Sequence, residues 1–232
     1  MAVFVTFGNQ KGGAGKSTCT VLAAGALSQP PFSYRLAVVD IDRQQSIAAR
    51  RAYDLQDFDG LLPYEVLSYN FATFEAKLEE LDNRYQVVFI DVAGKLDKEA
   101  GHESEAARAL AYTDLLLVPV PPGNFTVQST VDYLEAALAI QEAKEAQGQA
   151  LAIRAFRNLY RDHRLTGRAL GRELEELRSL AGIELLKEPL RRYAIFEDTN
   201  TLETIYKPDS QEPAHRNFVR WLNEIHSIIQ NL

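Results

Sequence analysis

Residues 3–18 read Val3-Phe4-Val5-Thr6-Phe7-Gly8-Asn9-Gln10-Lys11-Gly12-Gly13-Ala14-Gly15-Lys16-Ser17-Thr18, and the chain then enters the apolar run Val21–Leu27. Strand-forming residues, a glycine-rich turn and a helix-forming stretch follow one another without a break. Glycines let successive backbone N–H groups point into one concavity, and the N-terminus of the next helix adds partial positive charge at the same place. A polyphosphate fits there. The spacing puts the Lys16 ammonium against its outer phosphates and the Ser17 hydroxyl on Mg²⁺.

Outward from this stretch, short β-rich runs alternate with longer amphipathic ones. Strands are predicted at Val3–Phe7, Leu36–Asp40, Val87–Ile90, Leu115–Val120 and Leu151–Phe156, with a weaker one at Ile183–Leu186. Helices are predicted at Lys16–Ser28, Gln44–Tyr53, Phe71–Leu81, His102–Ala111, Val127–Ala146, Thr166–Leu180 and Pro213–Gln230. The expected fold class is α/β, one domain over residues 1–232, with a mostly parallel twisted sheet flanked by helices. Pro30-Pro31 stops the first long helix, and Pro119, Pro121 and Pro122 are expected to end a strand. Asp54–Pro63, acidic and turn-rich, reads as a surface loop.

With 232 residues, 46% of them hydrophobic, the chain can bury a sizeable core. Its longest apolar runs, Ala2–Phe7 and Leu115–Val120, fall far short of the ~20 residues a membrane-spanning helix needs. No basic-then-apolar leader precedes the first strand, so a soluble, cytoplasmic protein is expected. Cys19 is the only cysteine, which excludes an internal disulfide or a multi-thiolate metal cluster within one chain. The net charge of −7 argues against constitutive coating of nucleic acid. That charge is uneven: residues 1–150 carry 12 Lys+Arg against 20 Asp+Glu, and residues 151–232 carry 13 against 12.

The phosphate loop departs from the usual spacing, because Gln10 stands where a glycine is expected five positions before Gly15, and Lys11 is an additional lysine. Lys11–Thr18, KGGAGKST, resembles the deviant Walker A motif of the ParA/MinD superfamily of P-loop ATPases. The resemblance implies ATP and Mg²⁺ as cofactors, with Gly12, Gly13, Ala14, Gly15, Lys16, Ser17 and Thr18 around the nucleotide. It also implies that Lys11 reaches the nucleotide bound by a partner subunit, where the plainer reading is a solvated loop lysine.

Two further motifs stand at the spacing of that family. Val38–Ser46 contains Asp40-Ile41-Asp42-Arg43-Gln44-Gln45-Ser46, similar to the DxDPQxS segment except that Arg43 replaces proline. At the carboxyl end of a strand these acids face the ligand crevice. The resemblance assigns Asp42 to orienting the attacking water and Asp40 to the outer shell of the metal; alternatively the two cap the helix that follows. Val87–Asp91 is an apolar run closed by one acid, as in a Walker B segment, so Asp91 would hold Mg²⁺ through water. Gly94-Lys95-Leu96-Asp97 is a candidate switch loop sensing the γ-phosphate. Asp114–Phe125, DLLLVPVPPGNF, resembles the family's strand that runs into a proline-rich turn. The layout is most similar to short plasmid-type (ParF-like) ParA partition ATPases.

Later in the chain, six arginines and one acid fall between Arg154 and Arg172. Arg157, Arg161, Arg164, Arg168 and Arg172 would project along one face of a helix. Such a row, with Arg191 and Arg192 extending it, suits the phosphate backbone of non-specific DNA; the other reading is a solvated face paired with Glu173, Glu175 and Glu176. Asn158, placed just past a strand, is either an adenine contact or an ordinary turn residue. In the last helix Phe218, Leu222, Ile225, Ile229 and Leu232 form a stripe that suits packing on a sheet, and the two basic residues there, Arg216 and Arg220, are too few for a lipid-anchoring face.

The function implied by the resemblance is an ATP-dependent homodimer with weak hydrolysis that segregates DNA, nucleoid-associated in its ATP state and stimulated by a ParB-like adaptor. Positioning of a protein cargo, or a dimerisation scaffold with little hydrolysis, are the alternatives. A nitrogenase iron-protein relative would need paired cysteines, and a bacterial tyrosine kinase a terminal tyrosine cluster; this chain has neither.

Overall fold

The computed structural model describes residues 1–94, 96, 98–99, 102–122, 124–160 and 183–232. Its strands are β1 (Val3–Phe7), β2 (Leu36–Asp40), β3 (Glu65–Ser68), β4 (Val87–Asp91), β5 (Lys98–Glu99), β6 (His102–Glu103), β7 (Leu115–Val120), β8 (Ala152–Tyr160), β9 (Glu184–Leu185) and β10 (Leu190–Arg191). The helices are α1 (Lys16–Leu27), α2 (Ser46–Asp54), α3 (Phe71–Arg84), α4 (Glu105–Ala111), α5 (Asn124–Glu145), α6 (Ala194–Glu197) and α7 (Pro213–Ile229).

The continuous apolar runs dictate the centre of the sheet. β1, β2, β4 and β7 are buried along almost their whole length, as strands covered on both faces must be. The order is β10-β8-β7-β1-β4-β2-β3, with β9 also paired to β8. Every described pairing in this sheet is parallel. The α/β expectation is met, and parallel strands bring the loops after β1, β2, β4 and β7 to one edge.

Alternation along each strand sorts the core into two layers. Val5, Phe7, Val38, Phe89, Leu115 and Leu117 face α1 and α7, where Phe7 lies 5.9 Å from Phe89 and 6.1 Å from Trp221 between ring centroids. On the other face Val39, Val88 and Ile90 meet Phe71 and Phe74 of α3, while Leu116 and Val118 meet Tyr133 and Leu134 of α5. Each fully buried ring or branched chain contributes about 1.5–3 kcal/mol. The stripe of the last helix packs as expected, except that Leu232 lies beyond α7 and is exposed.

Several boundaries differ from the sequence expectation for local reasons. Helix α2 starts at Ser46, not Gln44, because Gln45 is held at a left-handed φ of 46°. Helix α4 starts at Glu105, where Ser104 accepts from Ala107 N; His102 and Glu103 pair instead with β5 in a short hairpin. Pro119 does not end a strand but lies within β7, where pairing with β1 has already stopped at Leu117 and no ladder donor is needed on that side. Helix α5 begins at Asn124, and β8 runs on to Tyr160. The helix expected at Thr166–Leu180 lies outside the described residues.

Candidate functional site

The glycine turn is built where β1 leaves the sheet. Gly8 N donates to Leu117 O as the last rung toward β7. A Cβ on Gly8 would stand 1.9 Å from Tyr133 Oη, so no side chain fits. Gly13 and Gly15 have φ of 75° and 89°, the left-handed region that glycine adopts without strain. Gly15 precedes α1, whose first turn carries neither a side-chain cap nor an acid, so its N–H groups keep their partial positive charge. A Cβ placed on Gly12 or Gly13 would meet no atom within 4 Å. Thr18 is exposed at the same end of α1, and Lys11 and Lys16 are half-buried.

Three carboxylates line the adjoining crevice. Asp40 and Asp91 are register partners across β2 and β4, and both are buried. Both Asp91 oxygens accept from Ser17 Oγ, at 3.1 and 2.8 Å. Burial, with the nearby charges of Asp40 and Asp42, pushes Asp91 up to about 7 against the pull of Ser17 and Lys16. Asp40 Oδ2 accepts from Ile47 N and Ala48 N, both at 3.0 Å, so this carboxylate caps α2. Its Oδ1 accepts from Asp42 N at 3.3 Å, and burial still raises it overall. Asp42 is half-exposed and accepts from Gln44 N at 2.9 Å.

These residues fit a hydrated magnesium nucleotide. No group of three His, Cys, Asp or Glu able to cage a metal occurs among the described residues, and Mg²⁺ does not require one, since it keeps several waters and shares one or two protein ligands with phosphate oxygens. Ser17 and Asp91 supply such a pair. Gly94, after β4, closes the crevice: a Cβ there would lie 2.2 Å from Asn9 O and 3.0 Å from Lys16 Nζ. Lys95 and Asp97 of the expected switch loop lie outside the described residues.

On the other flank Asn158 lies within β8, not past its end, and is buried. Its Nδ2 donates to Ala14 O at 2.7 Å, tying the sheet to the glycine turn. A cavity of about 50 Å³ beside it is lined by Gly15, Thr18, Asn158, Arg191 and Tyr193, and one of about 190 Å³ by Thr18, Val21, Ser46, Arg50 and Phe196.

The arginine row is divided. Arg161, Arg164, Arg168 and Arg172 lie outside the described residues, while Arg157 stands 5.9 Å from the Tyr160 ring. Arg192 Nε bonds Glu197 Oε1 at 2.5 Å. Arg191 instead lines a cavity of about 230 Å³ with Tyr193, Arg216, Asn217 and Arg220. The sequence kept Arg216 and Arg220 apart from Arg191 because 25 residues separate them; the helix brings them together.

Two other groupings escaped the sequence reading. Buried Asn9 bonds Pro119 O, Thr130 Oγ1 and Lys11 N; after a glycine it reads only as a turn residue. Buried Arg51 donates to Tyr64 O and to Thr201 O and Oγ1, fastening α2 to a loop 150 residues away. An arginine inside an amphipathic helix gives no sign of such a partner.

Residues 5–205 match the family described as the CobQ/CobB/MinD/ParA nucleotide binding domain. No curated protein sequence matches the chain. Among solved structures, it is similar to cobyrinic acid a,c-diamide synthase from Mycobacterium smegmatis with bound ADP and magnesium: TM-score 0.70, 15% identity, covering 99% of this chain and 96% of that one. The MinD cell division protein of Aquifex aeolicus superposes with TM-score 0.67 at 15% identity, over 97% of both chains. A plasmid partition protein from Borrelia burgdorferi B31 bound to AMPPNP gives 0.66 at 17%, over 98% of this chain and 99% of that one. At these identities the superpositions speak for the shared fold, and the match over most of the sequence speaks for descent: the chain belongs to the CobQ/CobB/MinD/ParA family of nucleotide-binding domains.

Proposed function

We propose that the chain is a Mg²⁺-dependent ATPase of the ParA type, dimerising on ATP and segregating DNA. The observation that carries this reading is the convergence of Lys16, Ser17 and Asp91 on one uncapped glycine turn that also bears Lys11. Relatives of the same fold bind AMPPNP, or ADP with magnesium. Bound Mg²⁺ would neutralise charge on the outer phosphate oxygens. Lys16 and the α1 N–H groups would take the remaining charge as it spreads over the γ-phosphoryl oxygens, and Asp42, half-exposed beside Asp91, would orient the water. Lys11 would complete the partner's site, so nucleotide state would set assembly state.

DNA is the cargo best supported, by the cavity that Arg191 shares with Arg216 and Arg220. Three guanidiniums around one concavity suit the oxygens of a phosphate backbone better than a basic or apolar partner. A ParB-like adaptor would stimulate turnover, with the ATP state resident on the nucleoid. No helix among the described residues is long and apolar enough to cross a membrane.

The test is phosphate release from Mg·ATP with and without duplex DNA, alongside light scattering with a non-hydrolysable analogue. Asp42→Ala is expected to bind and dimerise but to lose turnover by at least about 100-fold, the scale of removing one positioned catalytic group. Normal hydrolysis by Asp42→Ala removes the role of Asp42; a protein that stays monomeric with the analogue overturns the dimer.

A further inference from the structure

Strand β1 stops pairing with β7 at Leu117, and Pro119 O lies further along toward the glycine turn. The Asn9 side chain takes the place of the missing rung: its Nδ2 donates to Pro119 O at 2.8 Å and to Thr130 Oγ1 of α5 at 3.2 Å. Its Oδ1 accepts from Lys11 N at 2.9 Å. Both amide donors and the acceptor are thereby used, as a fully buried amide requires. On its main-chain side, Asn9 O faces Gly94 so closely that a Cβ there would stand 2.2 Å away. The turn after β1, the end of β7, helix α5 and the Gly94 loop after β4 thus meet on one residue, which is 0% exposed.

From this meeting point we infer that Asn9 is a positioning residue for Lys11, fixing the direction in which the Lys11 turn leaves the sheet and tying that direction to α5 and to the Gly94 loop. The inference rests on the reading of Lys11 given under Proposed function. The polar atoms of the Asn9 side chain are taken up by protein partners. That side chain holds the backbone of Lys11, two residues on, whose O accepts from Ala14 N at 3.4 Å, while the segment that follows has holds of its own, Asn158 Nδ2 on Ala14 O and Cys19 N on Gly15 O at the start of α1. Loss of Asn9 should therefore leave binding of one nucleotide by one subunit largely intact and weaken the step that needs Lys11 to reach across.

Full-length Asn9→Ala, Thr130→Val, Thr130→Ser and Lys11→Ala are compared by titration with a fluorescent ADP analogue and by light scattering with a non-hydrolysable ATP analogue. Asn9→Ala is expected to bind ADP within about threefold of the parent while its nucleotide-dependent dimer weakens at least about tenfold, the effect of one to two lost hydrogen bonds to a buried partner. Thr130→Val should weaken the dimer less, and Thr130→Ser, which keeps the hydroxyl, should restore it. If Lys11→Ala is monomeric but Asn9→Ala and Thr130→Val dimerise as the parent does, the role of Asn9 is overturned. Equal losses of ADP binding and dimerisation in Thr130→Val overturn it too, and this variant decides the matter should Asn9→Ala not fold. If Lys11→Ala itself dimerises normally, the reading of Lys11 fails instead.

Discussion

The two ends of the sheet use the same residue types to opposite effect. At the amino ends of the strands, Asp114 Oδ2 accepts from Phe4 N at 2.8 Å, Lys144 Nζ donates to Thr113 O at 2.6 Å, and Asp82 Oδ1 accepts from Ala2 N at 2.6 Å. Burial raises Asp114 and lowers Lys144, and each draws the other back toward its charged form. Carboxylates and ammonium there are tied to backbone groups. At the carboxyl ends Asp40, Asp42 and Asp91 crowd together, with burial pushing Asp91 up to about 7, next to a helix end without a cap. The cavity at the amino end, about 590 Å³, is larger than either cavity beside the glycine turn. Size therefore does not mark the site. Unbalanced charge held in place by the fold does, because it has a use only when a cation and an anion arrive together.

The contrast can be broken most severely at Lys16. Lys16→Ala is expected to weaken ATP binding by at least about 100-fold, since a phosphate charge loses its partner in a partly desolvated site, with the melting temperature nearly unchanged; calorimetric titration reads the first and thermal denaturation the second. The opposite end should behave in reverse. Lys144→Met leaves Thr113 O unpaired and Asp114 without its counter-charge, costing about 2 kcal/mol and lowering the melting temperature by roughly 4–8 °C, while ADP affinity stays as in the parent. A fall in affinity would show that the two ends are coupled.

Asp91→Asn should have the smallest effect and an unusual sign. The folded state holds the Asp91 proton more tightly than the unfolded chain does, so the ionised group costs stability, and that cost appears as pH rises from about 4 through about 7. The substitution keeps an acceptor for Ser17 and removes the charge, so the nucleotide-free protein is expected to gain on the order of 1–2 kcal/mol at pH 8. The gain should shrink toward pH 5. Added Mg·ATP should reverse the ranking, because the parent alone then has the Asp91 carboxylate, beside Ser17, to offer the metal. Thermal melts across this pH range, with and without nucleotide, check both statements; a variant less stable than the parent at pH 8 would mean that burial and the charges of Asp40 and Asp42 do not disfavour the ionised Asp91.

Much of this was legible in the order of residues. Val3–Thr18 determined strand, phosphate turn and helix, because glycine conformation and apolar periodicity act within a few residues. The buried strands announced themselves as unbroken apolar runs, and Asp40 and Asp91 stood at their ends. Edge strands β3 and β10 and the four-residue α6 gave no signal, being too short for any period to show. What tertiary structure alone decided lies in side chains whose partners are far off in sequence. Asn158 proved to hold Ala14 O, Arg191 to share a cavity with Arg216 and Arg220, and Asn9 to join the Lys11 turn to β7 and α5. Local propensity is a property of the chain, but a hydrogen bond spanning 110 residues exists only once the sheet has brought its ends together.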